Sequence, residues 1–371
     1  MQKEPTPLTY PRRVLIRKGL TLLGKGLLTC LADVEIRGKE RLPKKGPMIL
    51  AGNHVAVLEA VMMAVYTPGI VEFFGTGDIP FDPNYAAIVN AYGLIPVNRG
   101  NLDRQALKMG LAVLEQEGIL GIFPEGGHWD PANMGVQIGV AWLSQRAQAP
   151  ILPIGFGGIK GALKKALRLE NPQLLMTVGR LIPPVTLEDD HLSTRASLEN
   201  AAHSIMSAIN ALVPQEDLAT FRRRVDEVFM LEIEVHSADK FVPIPADLRI
   251  GDGAGYARVL FNPTMLDTLV RNLHLPIKPL KEIYRQSDLE PVLKAWNAIL
   301  KYLEINPGFF TYRFGVENGL AVKETIHKLM TLGVWVQDSG FRLTLVPVRR
   351  FRNANTGAQV IERGGCFPRS M

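Results

Sequence analysis

The chain has 371 residues, 47% of them apolar and 21% charged, with a formal net charge of +6; at ~150 residues per domain there is room for two domains with ordinary cores. Its two cysteines, Cys30 and Cys366, lie near opposite ends, and its seven histidines show no HExxH-like spacing, which argues against a disulfide framework and against a metal site. The basicity is local: residues 1–50 carry a balance of +7, residues 51–213 of −4 and residues 214–371 of +3, so the N-terminal end is the part expected to meet an anionic surface.

The first predicted element is a helix over Val14–Leu31. At ~100° per residue, Leu15, Ile16, Leu20, Leu22, Leu23, Leu27 and Leu31 gather on one half, and Arg17, Lys18 and Lys25 on the other, with Arg12 and Arg13 at its start. A helix of this kind lies in the headgroup region of an anionic membrane, or packs its leucines onto its own domain. Within it, Gly19 to Gly26 nearly spells a phosphate loop. That reading fails because Gly26 stands where Ser or Thr must hold magnesium, and no buried strand precedes it. No window of about 18 uncharged apolar residues exists, and the opening MQKEPTPLTYPRR lacks the layout of a secretory signal. The expectation is a peripheral protein on the cytosolic face of a membrane, with residues 1–32 as its membrane-surface segment.

Short apolar runs then alternate with longer periodic stretches. Strands are expected at 47–52, 70–75, 118–124, 151–157 and 174–179, and helices near 55–67, 83–91, 103–117, 136–147 and 194–212. This is the pattern of an α/β fold, a mostly parallel sheet flanked by helices. The run Ala211-Leu-Val-Pro-Gln215 reads as a boundary, giving a domain over 33–213 and a C-terminal one over 214–371. The latter reads as mainly helical (216–235, 263–274, 279–286, 289–304, 321–332), with a terminal hairpin whose turn is Asp338-Ser339-Gly340.

Four features carry chemistry. The first is Asn53-His54 directly after an apolar strand, with Glu59 five positions on. Imidazole takes protons near neutral pH, and a carboxylate orients the ring and stabilises its cation. Five residues of ideal helix turn through about 140°, so the two side chains meet only if His54 lies in the turn ahead of the helix. The second is Gly93–Gly100, an apolar segment ending in Arg99, a guanidinium able to grip a phosphate with two parallel hydrogen bonds. The third is Phe123-Pro-Glu125-Gly126-Gly127-His128, a tight turn after a strand that places Glu125 to accept from substrate hydroxyls. The fourth, Ala149–Gly155, is a proline-bracketed strand without chemistry of its own.

In this order and spacing the four features resemble the glycerolipid acyltransferase family, of the lysophosphatidic-acid and glycerol-3-phosphate acyltransferase type, whose blocks are NHxSxxD, a strand ending in arginine, FPEGTRS and a VPI-like strand. The resemblance covers roughly residues 33–213, including the lead-in Val34-Glu-Ile-Arg-Gly38 and Leu42-Pro43. It implies that His54 deprotonates a hydroxyl of a glycerolipid or lysolipid, which attacks the thioester of acyl-carrier protein or coenzyme A. Glu59 is then the orienting carboxylate, while Asn53, Arg99, Glu125, Gly126 and Gly127 bind the acceptor. No bound cofactor is implied.

Two departures stand out. The family's aspartate is Glu59, and the Thr-Arg pair after its Glu-Gly is here Gly127-His128. The first lengthens the relay by one methylene; the second points to an acceptor other than a plain phosphomonoester, such as another lipid or a glycolipid. A catalytically silent lipid-binding relative is a further reading. From another class, a helix at 321–332 followed by a hairpin, with Arg349, Arg350 and Arg352, suggests a winged helix on nucleic acid; a balance of +3 speaks against it.

Overall fold

The computed structural model describes residues 6–76, 81–98, 103–125, 136–187, 193–222, 224–276, 278–281, 288–354 and 356–364. The chain divides into two compact units, Met1–Gly77 with Ala87–Phe221 and Asp78–Ala86 with Arg222–Met371. The elements up to the end of the first unit are α1 (Val14–Leu31), β1 (Asp33–Arg37), β2 (Met48–Gly52), α2 (Leu58–Tyr66), β3 (Val71–Thr76), α3 (Pro83–Tyr92), β4 (Ile95–Val97), α4 (Arg104–Glu115), β5 (Ile119–Ile122), α5 (Gly139–Ala147), β6 (Ile151–Gly157), α6 (Ala162–Leu167), β7 (Gln173–Val178), α7 (Thr194–Asn210) and α8 (Gln215–Arg222).

Seven strands form one sheet in the order β1-β7-β6-β2-β5-β3-β4. From β6 to β4 the pairing is parallel throughout; β7 turns antiparallel to β6, and β1 lies parallel to β7. The expected α/β class, a mostly parallel sheet between helices, is what the chain adopts. All seven residues of β6 and four of five in β2 are buried, as strands with both faces covered must be. Side-chain alternation sends Ile49, Ala51 and Ile151 to the side of α4, α5 and α7. Leu50, Leu152 and Ile154 go to the other side, with Leu28 of α1, Met62 and Met63 of α2, and Ala162 of α6. Helix starts fall where the sequence offers caps: Asp103 accepts from Ala106 N–H at 2.9 Å and from Asn98 N–H at 2.8 Å, tying the exit of β4 to α4.

The N-terminal helix forms where expected and the near phosphate loop is simply part of it, but its orientation corrects one expectation. Arg17, placed by the sequence on the solvent-facing cationic half, is fully buried. Its guanidinium meets Glu72 of β3 at 2.7 Å and donates to the carbonyls of Tyr92 at 2.6 Å and Gly93 at 2.7 Å. Arg12 donates to the same Glu72 oxygen at 2.7 Å. The reason is the stripe Arg17, Gly24, Leu28, which faces the domain; at Gly24 an added Cβ would stand 3.0 Å from Val65. The opposite side therefore turns its leucines outward, with Leu15 84%, Leu22 74%, Leu23 60% and Leu27 51% exposed. Among the described residues no helix is long and apolar enough to cross a membrane.

In the second unit β8 (Arg224–Ser237), β9 (Lys240–Phe241), α9 (Ala254–Phe261), α10 (Pro263–Asn272), α11 (Lys278–Lys281), α12 (Glu290–Ile305), α13 (Gly308–Phe314), α14 (Val316–Asp338), β10 (Arg342–Asn353) and β11 (Gln359–Arg363) follow in order. The helices centre on Trp296, whose indole donates to Tyr256 Oη at 3.0 Å, both side chains being fully buried. Two expectations are corrected here. The helix expected over 216–235 ends at Arg222, and 224–237 is a strand of an antiparallel sheet ordered β11-β10-β8-β9. Its buried residues Phe229, Leu231 and Val235 keep period two, and its partner β10 lies about a hundred residues downstream, beyond any local pattern. The turn expected at Asp338-Ser339-Gly340 is instead the end of α14, with Gly340 at φ +66° closing the helix. Val334–Val336 are helical, so the helix-then-hairpin piece behind the winged-helix reading does not form as expected. Of the helix expected at 279–286, residues 282–286 lie outside the described residues.

Because Arg17 is fully buried, removing Glu72 leaves it as an uncompensated charge, whereas removing Arg17 leaves Glu72 with Arg12. Glu72→Ala is expected to destabilise the fold by about 3–5 kcal/mol, Arg17→Ala by less, and Arg17→Met with Glu72→Met together to recover most of the Glu72→Ala loss. Urea unfolding of the three variants checks it.

Candidate active site

The site begins where β2 stops. Past Gly52, Asn53 prolongs the pairing with β6 through its side chain, accepting from Phe156 N–H at 2.7 Å and donating to Phe156 C=O at 3.1 Å. Gly52 itself has no room for more: an added Cβ would lie 2.9 Å from the Phe156 ring and 3.4 Å from that of Phe123. The chain then leaves the sheet at His54, bends through 55–57 and enters α2 at Leu58. His54 thus lies in the turn ahead of the helix, the condition under which a carboxylate five residues later reaches it. Strands β5 and β6 flank β2 on either side, so the residues following all three emerge in the crevice beyond the carboxyl ends of a parallel sheet, where α/β folds bind ligands.

Glu59, in the first turn of α2, is completely buried. Its Oε1 accepts from the N–H groups of Val55 and, at 2.9 Å, Ala56, and Oε2 accepts from Ala56 at 3.1 Å. The same Oε1 stands 3.9 Å from His54 Nδ1, whose side chain is 13% exposed. From the turn after β5, Glu125 Oε2 accepts the backbone N–H of His54 at 2.9 Å. Phe123 stacks on the imidazole with centroids 4.2 Å apart and planes 15° from parallel, and Phe73 lies behind it at 6.4 Å and 7°. Nδ1 faces the carboxylate, so Nε2 is the nitrogen turned away from it.

Burial sets the electrostatics. It pushes the Glu59 carboxyl up to about 7, against the pull of the Val55 and Ala56 N–H groups and with a contribution from Glu125. Burial likewise raises Glu125 to about 7, opposed by the His54 N–H. Two carboxyl groups close to one imidazole resist ionising together, and a proton arriving on that ring favours the ionised form of both. The cluster is therefore suited to accept a proton at His54 and balance the resulting charge locally.

Of the residues singled out by sequence, His54, Glu59, Glu125 and Asn53 come together here. Asn53, expected to bind substrate, commits both amide atoms to the main chain of β6. Glu125, expected to face substrate hydroxyls, holds the backbone of His54 with one oxygen. Arg99, Gly126 and Gly127 lie outside the described residues. Sequence reasoning missed Phe123 as the partner of the imidazole ring; the signal was its place two residues before Glu125 at the end of an apolar strand. Among the described residues no group of three or more His, Cys, Asp or Glu side chains is placed to hold a metal ion.

Comparison with known proteins adds the family. Residues 33–157 match the Acyltransferase family. The 1-acyl-sn-glycerol-3-phosphate acyltransferase of Bacillus subtilis (strain 168) is 22% identical over 135 residues, 36% of this chain and 67% of that protein. The crystal structure of the 1-acyl-sn-glycerophosphate acyltransferase from Thermotoga maritima shares 18% identity at a TM-score of 0.37, over 54% of this chain and 79% of that one. The chain therefore carries a domain of the Acyltransferase family over residues 33–157.

Proposed function

We propose that this protein transfers a fatty acyl group from a thioester, carried by coenzyme A or acyl-carrier protein, to a hydroxyl of a glycerolipid such as 1-acyl-glycerol-3-phosphate. The observation that carries this reading is the approach of His54 Nδ1 to the fully buried Glu59 at 3.9 Å, at the end of the central strand of the sheet. In the proposed reaction Nε2 of His54 takes the hydroxyl proton, and the freed oxygen forms a bond to the thioester carbonyl carbon. The tetrahedral oxyanion then collapses, the C–S bond breaks, and the leaving thiolate recovers the proton from the imidazolium. Glu59 orients the ring and balances its charge; Glu125 and Asn53 hold the turn in place. Arg99 with Gly126 and Gly127 binds the acceptor.

The outward leucines of α1, flanked by the exposed Lys18 and Lys25, support a peripheral seat on an anionic membrane, where the lipid acceptor resides. Apolar surface supplies the insertion, and each cation near the lipid surface adds about 1 kcal/mol.

Four outcomes are expected. Purified protein given labelled acyl donors and a panel of lysolipids and glycolipids is expected to acylate at least one acceptor, and His54→Ala, with its fold intact by circular dichroism, to abolish transfer. Turnover surviving that substitution removes His54 as the base. In pH profiles, kcat/KM is expected to rise through about 7 as Glu59 loses its proton, and Glu59→Gln to flatten that limb and lower kcat about 10²-fold or more. The same raised carboxyl means that fold stability is full below the ordinary carboxylate range and declines as pH climbs through 7, a slope that thermal melts of Glu59→Gln should show reduced. In liposome flotation, Leu22→Asp with Leu23→Asp is expected to release the protein from anionic vesicles; equal binding of variant and parent contradicts the membrane role of α1.

A further inference from the structure

The imidazole of His54 turns about its Cβ–Cγ bond over a broad, roughly two-fold range, and general-base work needs Nε2 aimed at one hydroxyl. Glu59 stands 3.9 Å from Nδ1, longer than a hydrogen bond, so the carboxylate marks one nitrogen without by itself fixing the plane of the ring. Phe123 supplies a constraint of that second kind. Its ring lies 4.2 Å from the imidazole centroid and within 15° of parallel, closer than the ~4.5–7 Å of an ordinary aromatic pair. At that spacing the imidazole has room to lie flat on the phenyl ring and not to stand edge-on to it.

The sheet builds this stack. Ala51 of β2 pairs with Ile122 of β5, so His54 and Phe123 leave from the ends of adjacent parallel strands. Glu125 ties the two exits together by accepting the His54 N–H at 2.9 Å, and the Pro124 carbonyl accepts from Gln137 N–H at 2.9 Å. Behind Phe123, Phe73 lies 6.4 Å away and 7° from parallel. Phe73 is seated across Gly121, its register partner on β5, where an added Cβ would stand 2.3 Å from the Phe73 ring. Phe73 also meets Tyr92 at 6.1 Å, and the Tyr92 hydroxyl donates to the Val71 carbonyl at 2.7 Å. At Gly52 an added Cβ would lie 3.4 Å from the Phe123 ring. A ring backed in this way holds its own plane and imposes it on a neighbour.

Plane and direction then divide between two residues. Rotating the imidazole by 180° keeps it flat on Phe123 but exchanges Nδ1 with Cδ2 and Nε2 with Cε1. Stacking alone leaves both orientations open; the buried carboxylate of Glu59 favours the one that brings Nδ1 to it. Nε2 then points away from Glu59, in the plane that Phe123 has set. The phenyl face also attracts a cation, so the contact strengthens as the ring takes the proton. An interaction that strengthens on the way to the transition state lowers the barrier instead of merely binding. Leucine or methionine at position 123 fills space and supplies neither the flat face nor that attraction.

We propose that Phe123 is a positioning residue for acyl transfer, its ring fixing the plane in which the His54 imidazole presents Nε2 to the acceptor hydroxyl. The proposal rests on the acyl-transfer reading, and nuclear magnetic resonance of histidine-labelled protein separates the two. The His54 ring protons, identified by their loss in His54→Ala, are expected upfield in the parent and in Phe123→Tyr, under the current of the stacked ring. In Phe123→Leu they are expected to move downfield, toward the ordinary histidine position. In steady-state assays Phe123→Leu is expected to lower kcat about 10-fold or more, part of the roughly 10²–10⁴ that a general base contributes, with KM for donor and acceptor unchanged. Phe123→Tyr is expected to recover most of that loss. A parental kcat in Phe123→Leu overturns the proposal, and so does a rise in KM alone, which places Phe123 against substrate. A Phe123→Tyr variant as slow as Phe123→Leu overturns it too, because a ring at this position then confers nothing. If Phe123→Leu does not fold by circular dichroism, Phe123→Met, which fills the space without a ring, is judged by the same criteria. His54 protons at the ordinary position in the parent sink the idea without any substitution of Phe123. If the parent acylates no acceptor, the acyl-transfer reading fails, while the resonance comparison still decides whether Phe123 holds the imidazole.

Discussion

A carboxylate without access to water must be satisfied by what surrounds it, and Glu59 is satisfied by the turn that carries His54. Its two oxygens collect the N–H groups of Val55 and Ala56, in the bend just ahead of α2. One side chain therefore shapes the bend out of the sheet, opens the helix and stands beside the imidazole. The extra methylene relative to aspartate is used in that reach back along the chain. At 3.9 Å the contact with Nδ1 is longer than a hydrogen bond. In the proposed reaction this gap closes as charge develops on the ring.

One side of the site is an aromatic wall. Phe73, Phe123 and His54 form one stack, backed on the β2 side by Gly52, where an added Cβ would crowd Phe156, Met63 and Phe123. Excluding water strengthens the attraction between a protonated imidazole and its neighbours and also makes an isolated carboxylate expensive, so both Glu59 and Glu125 are shifted upward. The two carboxyls differ in attachment. Glu59 grips the turn beyond His54, while Glu125 grips the N–H of His54 itself. The turn that carries the imidazole is thus held from both sides, by Glu125 at the N–H of His54 and by Glu59 at those of Val55 and Ala56.

Much of this was legible from the residues. Strands β2, β3, β5, β6 and β7 announce themselves as apolar runs, and their alternation with amphipathic stretches specifies a parallel sheet with covered faces. The pairing of His54 with Glu59 was readable as a geometric condition, that the histidine precede the helix. What was not readable depends on partners distant in sequence. Asn53 looked like a binding residue because nothing local reveals that Phe156, 103 positions away, takes both its amide atoms. The segment after Arg222 contains Glu, Met and Leu, all good helix formers, and its period of two was masked until β10 is there to pair with it. Asp-Ser-Gly fits a hairpin and a helix end equally well; the length of α14 decided between them.

The N-terminal helix shows why composition alone misplaces Arg17. The helix was expected to lie on a membrane surface or to pack its leucines on the domain; its leucines stay outward, Lys18 and Lys25 stay exposed, and of its cationic half Arg17 is buried. That burial is stable because Glu72 and the carbonyls of Tyr92 and Gly93 supply three acceptors for a planar guanidinium, a match that lysine would not make. Attachment by a directional polar cluster leaves the apolar side free, whereas attachment by leucines would have consumed it. A helix held in this way can present hydrophobic surface outward without losing its place on the domain. On that argument the buried ion pair at Arg17 and the exposed ridge at Leu15, Leu22, Leu23 and Leu27 are two halves of one arrangement. Of the cations on α1, Lys18 and Lys25 stay exposed at the flank of that ridge.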